Sequence, residues 1–313
     1  MIKLTDIILE DKRSKKVIVM AGGGGAGKTY VLSLLKDLGL QSLPIVNPDK
    51  YVEDPDHPMY NNLGAASKQA EKDALAMADA NKTFVWDTTA ANTKNIELLI
   101  DKGYDVYMIM VYTHPMQSIV SNFKRERSLP KASVFSTWRD VYDKIGIYQK
   151  MLGQDKFSLY LNIRPEFEKE AEAFNTAAKN GATGIKDYLE NYSNKTGIQY
   201  KSSFSKPFNL SSDAEKAFDE EMQGIDYDKD NESLVKQIQK YWFKFYDKNG
   251  TGPGQDKMKK NIKNWYDNKD RNDTKYDDIL SSIADMLSEP KFLKQLQGSS
   301  IEVIDKKVQT FLT

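Results

Sequence analysis

The feature that most constrains the fold is the segment Gly22-Gly-Gly-Gly-Ala-Gly27-Lys28-Thr29, which satisfies the pattern G-x-x-x-x-G-K-[ST] in full. A backbone that turns with its N–H groups toward one centre needs residues without Cβ, and such a turn at a helix N-terminus binds phosphate. The apolar run Lys16–Ala21 before it predicts a buried strand, and Thr29–Leu38 after it predicts an amphipathic helix. This context disfavours the alternative of a glycine-rich turn with an accidental Gly-Lys-Thr.

The motif predicts a phosphate-binding loop (P-loop) for ATP or GTP. Lys28 is expected to reach the β- and γ-phosphates, and the Thr29 hydroxyl is expected to coordinate Mg²⁺. The predicted nucleotide-binding residues are Gly22, Gly23, Gly24, Gly25, Ala26, Gly27, Lys28, Thr29 and Tyr30.

Strand and helix patterns alternate through the first half of the chain, and we predict an α/β domain over residues 1–164. Its parallel sheet carries helices on both faces and binds ligands at the carboxyl ends of the strands. The predicted strands are Lys16–Ala21, Leu43–Val46, Thr83–Trp86, Tyr104–Tyr112 and Phe157–Ile163. The predicted helices between them are Thr29–Leu38, Ala65–Ala80, Asn92–Lys102, Met116–Arg127 and Ser133–Leu152.

Only helical patterns follow Pro165, and we predict a mostly α-helical domain of unknown role over residues 165–313. The predicted helices are Glu166–Asn180, Gly184–Tyr192, Ser212–Met222, Ser233–Tyr246, Met258–Asp267, Asp277–Leu287 and Ile301–Leu312.

Composition excludes several classes of protein. The 313 residues contain no cysteine, so disulfides and thiolate zinc sites are ruled out. The 45 basic and 45 acidic residues balance, so nothing global favours binding to nucleic acid or to an anionic membrane. Residues 1–16 lack the apolar stretch of a signal peptide, and no run is long enough to span a bilayer. We therefore expect a cytoplasmic protein. The heavy use of Lys, Asn, Tyr and Asp is typical of an AT-rich genome, that of a phage or of a low-GC bacterium.

Three segments resemble zeta-toxin-like kinases and 5′-hydroxyl polynucleotide kinases of the P-loop class, over about the first 150 residues. The first is the P-loop, and the second is Ile45-Val-Asn-Pro-Asp49-Lys-Tyr51. In these kinases an aspartate here accepts the proton of the attacking hydroxyl, and Asp49 is the matching residue. A carboxylate beside the γ-phosphate suits that role. The alternative is that Asn47-Pro48-Asp49 is only a turn.

The third segment is Phe123-Lys-Arg-Glu-Arg-Ser-Leu-Pro130, which is similar to the arginine-bearing lid of these kinases. Its implied role for Arg127, or else Arg125, is to stabilise charge on the transferring phosphoryl group. Basic residues at a helix C-terminus also suit the helix dipole without any function. Arg139 is a weaker candidate for a second phosphate contact.

Asp87 ends the third predicted strand and is followed by Thr88 and Thr89. The resemblance implies that Asp87 either holds Mg²⁺ or faces the acceptor. The family pattern of an acidic residue, Gly and Thr is Asp-Thr-Thr here, and the lid lacks the usual Gly-Arg before Pro130. These differences leave three alternatives for the acceptor: an activated nucleotide-sugar, a nucleoside or modified base, or a nucleic acid 5′-end.

The leading hypothesis is thus a kinase that transfers the γ-phosphate to a hydroxyl acceptor. The alternative is an NTP-binding regulatory or assembly protein whose helical half engages a protein partner.

Overall fold

The computed structural model describes residues 15–35, 43–52, 57, 59, 63–124, 131–198 and 269–313. The strands are β1 (Lys16–Ala21), β2 (Ile45–Val46), β3 (Phe84–Asp87), β4 (Asp105–Tyr112) and β5 (Phe157–Leu161). The first seven helices are α1 (Lys28–Leu34), α2 (Asp49–Val52), α3 (Leu63–Asp79), α4 (Thr93–Asp101), α5 (Pro115–Phe123), α6 (Lys131–Tyr142) and α7 (Ile145–Lys156). After a 3₁₀ turn (Pro165–Phe167) come α8 (Glu168–Ala178), α9 (Gly181–Thr196), α10 (Lys269–Ser288), α11 (Pro290–Gln295) and α12 (Ile301–Leu312).

The five strands form one parallel sheet in the order β2-β3-β1-β4-β5. Strand β1 lies between β3 and β4, so the strand order reverses beside it, and ligands bind at the carboxyl ends of the strands next to such a point. The predicted α/β fold is confirmed. The edge strands β2 and β5 are each two residues shorter than predicted, and Leu43, Pro44, Asn162 and Ile163 flank them.

The core is built on β1 and β4, whose apolar residues are almost fully buried. Side chains alternate between the two faces of the sheet, and Ile18 and Tyr107 point to the face that α12 covers. Ile304 and Val308 of α12 are buried there against these strands. The last predicted helix is confirmed with its bounds, and its apolar stripe completes the core of the sheet.

The helices of the structure differ from the predicted ones at several points, which include the unpredicted short helix α2. The single helix predicted over Ser133–Leu152 is two helices, because Lys144 has φ −95° and ψ 2° and turns the chain between α6 and α7. The turn lets Tyr148 reach the carbonyl of Ala90 at 2.7 Å. Helix α11 was not predicted; its Phe292 packs on Trp138, with ring centroids 6.1 Å apart.

The chain divides into two compact units, residues 1–200 with 278–313, and residues 201–277. Helices α8 and α9 follow the boundary predicted at 164/165 but lie in the same unit as the sheet. Phe174 of α8 explains this, because its ring packs against His114 at 5.5 Å and Phe135 at 6.3 Å. A separate functional role for residues 165–313 stays a prediction.

The predicted helices Ser212–Met222, Ser233–Tyr246 and Met258–Asp267 lie outside the described residues. Within the described ranges, no helix combines the length and the apolar composition needed to cross a bilayer.

Candidate active site

A cavity of about 280 Å³ opens at the carboxyl ends of β1, β2 and β3. The P-loop contributes Gly24 to Thr29. The same space is lined by Asp49, the predicted general base, and by Asp87, which is predicted to bind Mg²⁺ or the acceptor. The sheet topology brings these segments together, because each follows a parallel strand at the same edge. A wider groove of about 1010 Å³ lies beside β5 and the C-terminal helices, but no P-loop residue lines it. The smaller cavity is therefore the candidate active site.

The P-loop adopts the shape that its glycines predict. Gly25 has φ 77°, a region that side chains other than glycine rarely adopt. A Cβ at this position would lie 2.7 Å from the carbonyl oxygen of Ser118. The loop thus packs against α5 with no room for a side chain at this point.

The outward-facing carbonyl oxygens of the P-loop have specific donors. The N–H of Ala26 donates to the carbonyl of Gly23 at 3.2 Å. The hydroxyl of Ser118 donates to the carbonyl of Gly24, and the side-chain amide of Asn162 donates to that of Ala26 at 2.7 Å. Sequence reasoning missed Ser118 and Asn162, because nothing in their own segments marks them as neighbours of the loop.

Two buried aromatic residues of α6, Trp138 and Tyr142, lie beside the start of the P-loop. The hydroxyl of Tyr142 accepts a hydrogen bond from the N–H of Gly23 at 3.3 Å and donates to the carbonyl of Val111 at 2.7 Å. Burial raises the pKa of Tyr142 far above its ordinary value, so the hydroxyl keeps the proton that it donates. The indole N–H of Trp138 donates to the carbonyl of Thr113 at 2.8 Å, which fixes α6 against the end of β4. Neither aromatic residue was predicted to support the site.

Lys28 and Asp87 form the charged centre of the cavity. The ammonium of Lys28 lies 3.7 Å from a carboxylate oxygen of Asp87 and donates to the carbonyl of Gly22 at 3.1 Å. Asp87 is only 6% exposed, and a carboxylate at that depth needs such partners. The amide of Asn47 supplies another donor to Asp87, at 3.2 Å.

Asn47 links Asp49 to the carboxylate of Asp87. Its side-chain oxygen accepts from the backbone N–H of Asp49 at 2.8 Å, while its amide nitrogen donates to Asp87. Asp49 begins the short helix α2 and is half-buried beside the cavity. Asn47-Pro48-Asp49 therefore forms a turn, as the alternative interpretation held, and the same turn lines the cavity. The sequence showed Asn47 only as a turn residue.

The wall formed by α3 and the start of α4 carries polar side chains beside the apolar Ala70 and Ile96, and we call it the polar wall. Ser67, Lys68 and Glu71 of α3 face into the cavity, as do Asn92 and Asn95 at the start of α4. These side chains offer hydroxyl, ammonium, carboxylate and amide groups, which suit a ligand with hydrogen-bonding groups.

The loop between β3 and α4 is held in an unusual conformation. Ala90 has φ 55°, which costs energy for a residue with a Cβ. Its carbonyl accepts from the buried Tyr148 hydroxyl at 2.7 Å, and its N–H donates to the Thr88 hydroxyl at 3.3 Å. The N–H of Gly22 also donates to the carbonyl of Thr89 at 3.4 Å, so this loop and the P-loop support each other.

The other predicted site residues do not all line the cavity. Thr29 lines the cavity, whereas the Tyr30 side chain is 55% exposed on α1 and does not. Arg125 and Arg127 lie outside the described residues. The guanidinium of Arg139 pairs with Asp140 at 2.7 Å. The catalytic and metal-binding roles of these residues stay predictions.

Among known families, one matches the part of the chain that holds this site. Residues 3–145 match the zeta toxin family. The expected resemblance is confirmed over this zeta-toxin-like segment, which includes the P-loop, Asp49 and Asp87. Together with the P-loop geometry, the match supports a P-loop phosphotransferase in general terms.

Several solved structures are similar to parts of the chain. A structure of the PezAT chromosomal toxin–antitoxin system of Streptococcus pneumoniae is 19% identical, with 48% of this chain and 70% of that chain covered and a TM-score of 0.40. The AvrRxo1-ORF1:-ORF2 complex with ATP is 13% identical, with 83% of both chains covered and a TM-score of 0.39. A gluconokinase from Sinorhizobium meliloti is 13% identical, with 58% of this chain and 98% of that chain covered and a TM-score of 0.32. No curated protein matches the chain.

Proposed function

We propose that the protein transfers the γ-phosphate of ATP or GTP to a hydroxyl acceptor. The observation that carries this proposal is one cavity that holds the P-loop lysine, a buried carboxylate 3.7 Å from it and the half-buried Asp49. Two carboxylates beside the P-loop lysine offer the proton-accepting group and the metal- or acceptor-binding group that phosphotransfer to a hydroxyl uses. The zeta-toxin-like segment supports the same class of reaction.

The P-loop binds the nucleotide in this proposal. Its N–H groups and the dipole of α1 attract the phosphates, and Lys28 leaves the Gly22 carbonyl and Asp87 to contact the β- and γ-phosphates. Phosphate oxygens then replace the partners that Lys28 has in the structure.

Thr29 and Asp87 would hold Mg²⁺. The described residues contain no group of three or more His, Cys, Asp or Glu able to hold a metal ion. Mg²⁺ fits this arrangement, because it is usually bound through one or two protein ligands together with substrate phosphates and water. When bound, the ion neutralises charge that develops on the phosphates. Asp87 can bind the acceptor instead, and ATP titrations of Asp87→Asn with and without Mg²⁺ distinguish the two roles.

Asp49 is the proposed general base. As the acceptor oxygen attacks, a bond forms between that oxygen and the γ-phosphorus, and the bond from the γ-phosphorus to the β–γ bridging oxygen breaks. The acceptor proton passes to the Asp49 carboxylate, and ADP or GDP leaves with the bridging oxygen. The hydrogen bond from the Asp49 N–H to Asn47 fixes the start of α2 and thus the place of the carboxylate.

Arg127, or else Arg125, is the proposed lid residue. A guanidinium keeps its charge at all working pH values and pairs with two phosphate oxygens at once, which suits the transferring phosphoryl group. This part of the proposal rests on the resemblance alone.

The acceptor class is proposed from the polar wall. Amides at Asn92 and Asn95 and charged groups at Lys68 and Glu71 suit a nucleoside, a modified base, a nucleotide-sugar or a nucleic acid 5′-end. Each of these offers a hydroxyl group together with several hydrogen-bonding groups.

The experiment is transfer of labelled γ-phosphate from ATP and from GTP to a panel of these acceptors. Label on one acceptor class from the parent protein, and none from Lys28→Ala, is the expected result. Nucleotide binding without transfer to any acceptor would contradict the proposal. It would favour the alternative of an NTP-binding regulatory or assembly protein that engages a protein partner through its helical region.

A further inference from the structure

The carbonyl groups of a P-loop need partners for the loop to work. When its N–H groups turn inward toward phosphate, its carbonyl oxygens turn outward into the protein, where an unsatisfied oxygen costs free energy. The carbonyl of Ala26 meets this need with the side-chain amide of Asn162, whose nitrogen lies 2.7 Å away. Asn162 follows β5, on the far side of β4 from β1, so this bond ties the loop to a different part of the sheet.

The same amide fixes the bend that begins α1. Gly27 has φ 86° and ψ 30° and is the N-cap of the helix. A Cβ on Gly27 would collide with the amide nitrogen of Asn162. The amide therefore packs directly on the backbone from which Lys28 and Thr29 extend, and it sets where the first N–H groups of α1 point.

Asn162 is itself held on three sides. Its N–H donates to the carbonyl of Tyr112 at 2.8 Å, and its carbonyl accepts from Gln117 at 2.8 Å and from Thr113 at 3.2 Å. Gln117 and Thr113 are almost fully buried. The Gln117 side-chain oxygen in turn accepts from the N–H of Arg164 at 2.9 Å, so both side-chain groups of Gln117 are used to fix this segment.

We propose that Asn162 is a positioning residue for nucleotide phosphates, which holds the end of the P-loop in its phosphate-binding shape. It touches no reacting atom and acts through Ala26 and Gly27. The inference rests on the proposed function only in that Gly22–Thr29 binds a nucleoside triphosphate; it does not depend on the acceptor or on Asp49.

The test compares Asn162→Ala with Ser158→Ala. Ser158 is buried on β5, the strand that Asn162 follows, and shares a hydrogen bond of 2.7 Å with Tyr107. No hydrogen bond joins its side chain to the P-loop. Both variants lose one hydrogen bond, so both are expected to lower the melting temperature. The probes are a fluorescent ATP analogue, whose dissociation constant is titrated, and inorganic triphosphate, which competes for the P-loop without a base or sugar.

The expected result is a roughly 5- to 10-fold weaker binding of both probes by Asn162→Ala, the loss that one hydrogen bond typically produces. Ser158→Ala is expected to bind both probes as the parent does. Asn162→Asp, which keeps the shape of the side chain but turns the donor into an anion, is expected to weaken binding more than alanine does. Asn162→Asp also provides the test if Asn162→Ala does not fold.

Three results would overturn parts of the account, and they are distinguishable. Unchanged affinity in both Asn162 variants overturns the inference alone. Equal losses in Asn162→Ala and Ser158→Ala show a general effect of destabilisation and also overturn it. A folded parent protein that binds neither ATP nor inorganic triphosphate overturns both the inference and the proposed function.

Discussion

The ammonium of Lys28 lies 3.7 Å from the carboxylate of Asp87, inside a cavity where Asp87 is 6% exposed. Opposite charges at this distance and depth attract each other, so a nucleotide must draw Lys28 away from Asp87 before its phosphates can use the lysine. Binding of the phosphates therefore removes the Lys28 partner of Asp87. This frees the Asp87 carboxylate for Mg²⁺ or for the acceptor.

Asp87→Asn is expected to tighten the binding of metal-free ATP by roughly 3- to 10-fold, because it frees Lys28 and removes a negative charge beside the phosphates. The measurement is an ATP titration in excess EDTA, repeated with Mg²⁺. Phosphotransfer is expected to fall by at least about 100-fold.

The same titrations separate the two roles of Asp87. If Asp87 holds Mg²⁺, the variant loses the gain in ATP affinity that Mg²⁺ gives the parent. If Asp87 faces the acceptor, that gain survives and the Michaelis constant for acceptor rises. Weaker binding of metal-free ATP by the variant would contradict the inferred competition for Lys28.

Asn47→Ala tests the link between the carboxylates. The side chain of Asn47 bonds both Asp49 and Asp87, so its loss is expected to misplace them while the P-loop stays intact. We expect a loss of roughly 10- to 100-fold in kcat with the dissociation constant for ATP nearly unchanged. Steady-state kinetics and an ATP titration on the same preparation measure both. A variant whose only defect is weaker nucleotide binding would show that Asn47 supports the P-loop instead.

His114 gives the protein a pH-dependent stability. Burial lowers its pKa to about 4, from the ordinary value of 6.5, and its ring nitrogens meet the N–H of Met116 at 3.1 Å and the side-chain oxygen of Asn175 at 3.0 Å. The unfolded chain takes up a proton near pH 6.5, whereas the folded protein does so only near pH 4. Stability is therefore present above this window and is lost as the pH falls through it, by about 2 kcal/mol near pH 5.

The measurement is urea unfolding near pH 7 and near pH 5, with His114→Asn as the matched variant. Asparagine keeps an acceptor for the Met116 N–H but does not titrate in this range. The parent should lose about 2 kcal/mol more than the variant between the two pH values. Equal losses would contradict the role assigned to His114.

The last helix is expected to be essential to the sheet. Ile304 is fully buried against β1 and β4, whereas the neighbouring Val303 on the same helix is 47% exposed. Ile304→Ala should lower the free energy of unfolding by about 2–4 kcal/mol, and Val303→Ala by less than about 0.5 kcal/mol. Thermal and urea unfolding compare the two. Similar small effects would mean that α12 does not belong to the core of the sheet.

Local patterns predicted the sheet and the P-loop because both leave local signals. The apolar runs of β1 and β4 stand between charged and glycine-rich segments, and a phosphate loop needs its glycines in consecutive positions. The carboxyl edge of the sheet then brings Asp49 and Asp87 to the loop, as the predicted topology requires.

The residues that support the P-loop leave no such signal. Ser118, Tyr142 and Asn162 act through contacts over 94, 119 and 136 residues of chain, and each belongs to a segment with its own ordinary pattern. The position of helix α12 in the fold could not be predicted from local patterns either. Its apolar stripe was evident from the sequence, but periodicity tells which face is buried and not which element covers it.

The most direct test of the central claim compares the rate of γ-phosphate transfer with ATP affinity in Asp49→Asn. The acceptor is the one that the panel identifies, and Asp79→Asn, which removes an exposed carboxylate paired with Lys102 at 2.6 Å, is the matched control. We expect a single-turnover rate at least about 100-fold lower in Asp49→Asn, with the dissociation constant for ATP unchanged and the control like the parent. Transfer by Asp49→Asn at the rate of the parent would contradict this expectation.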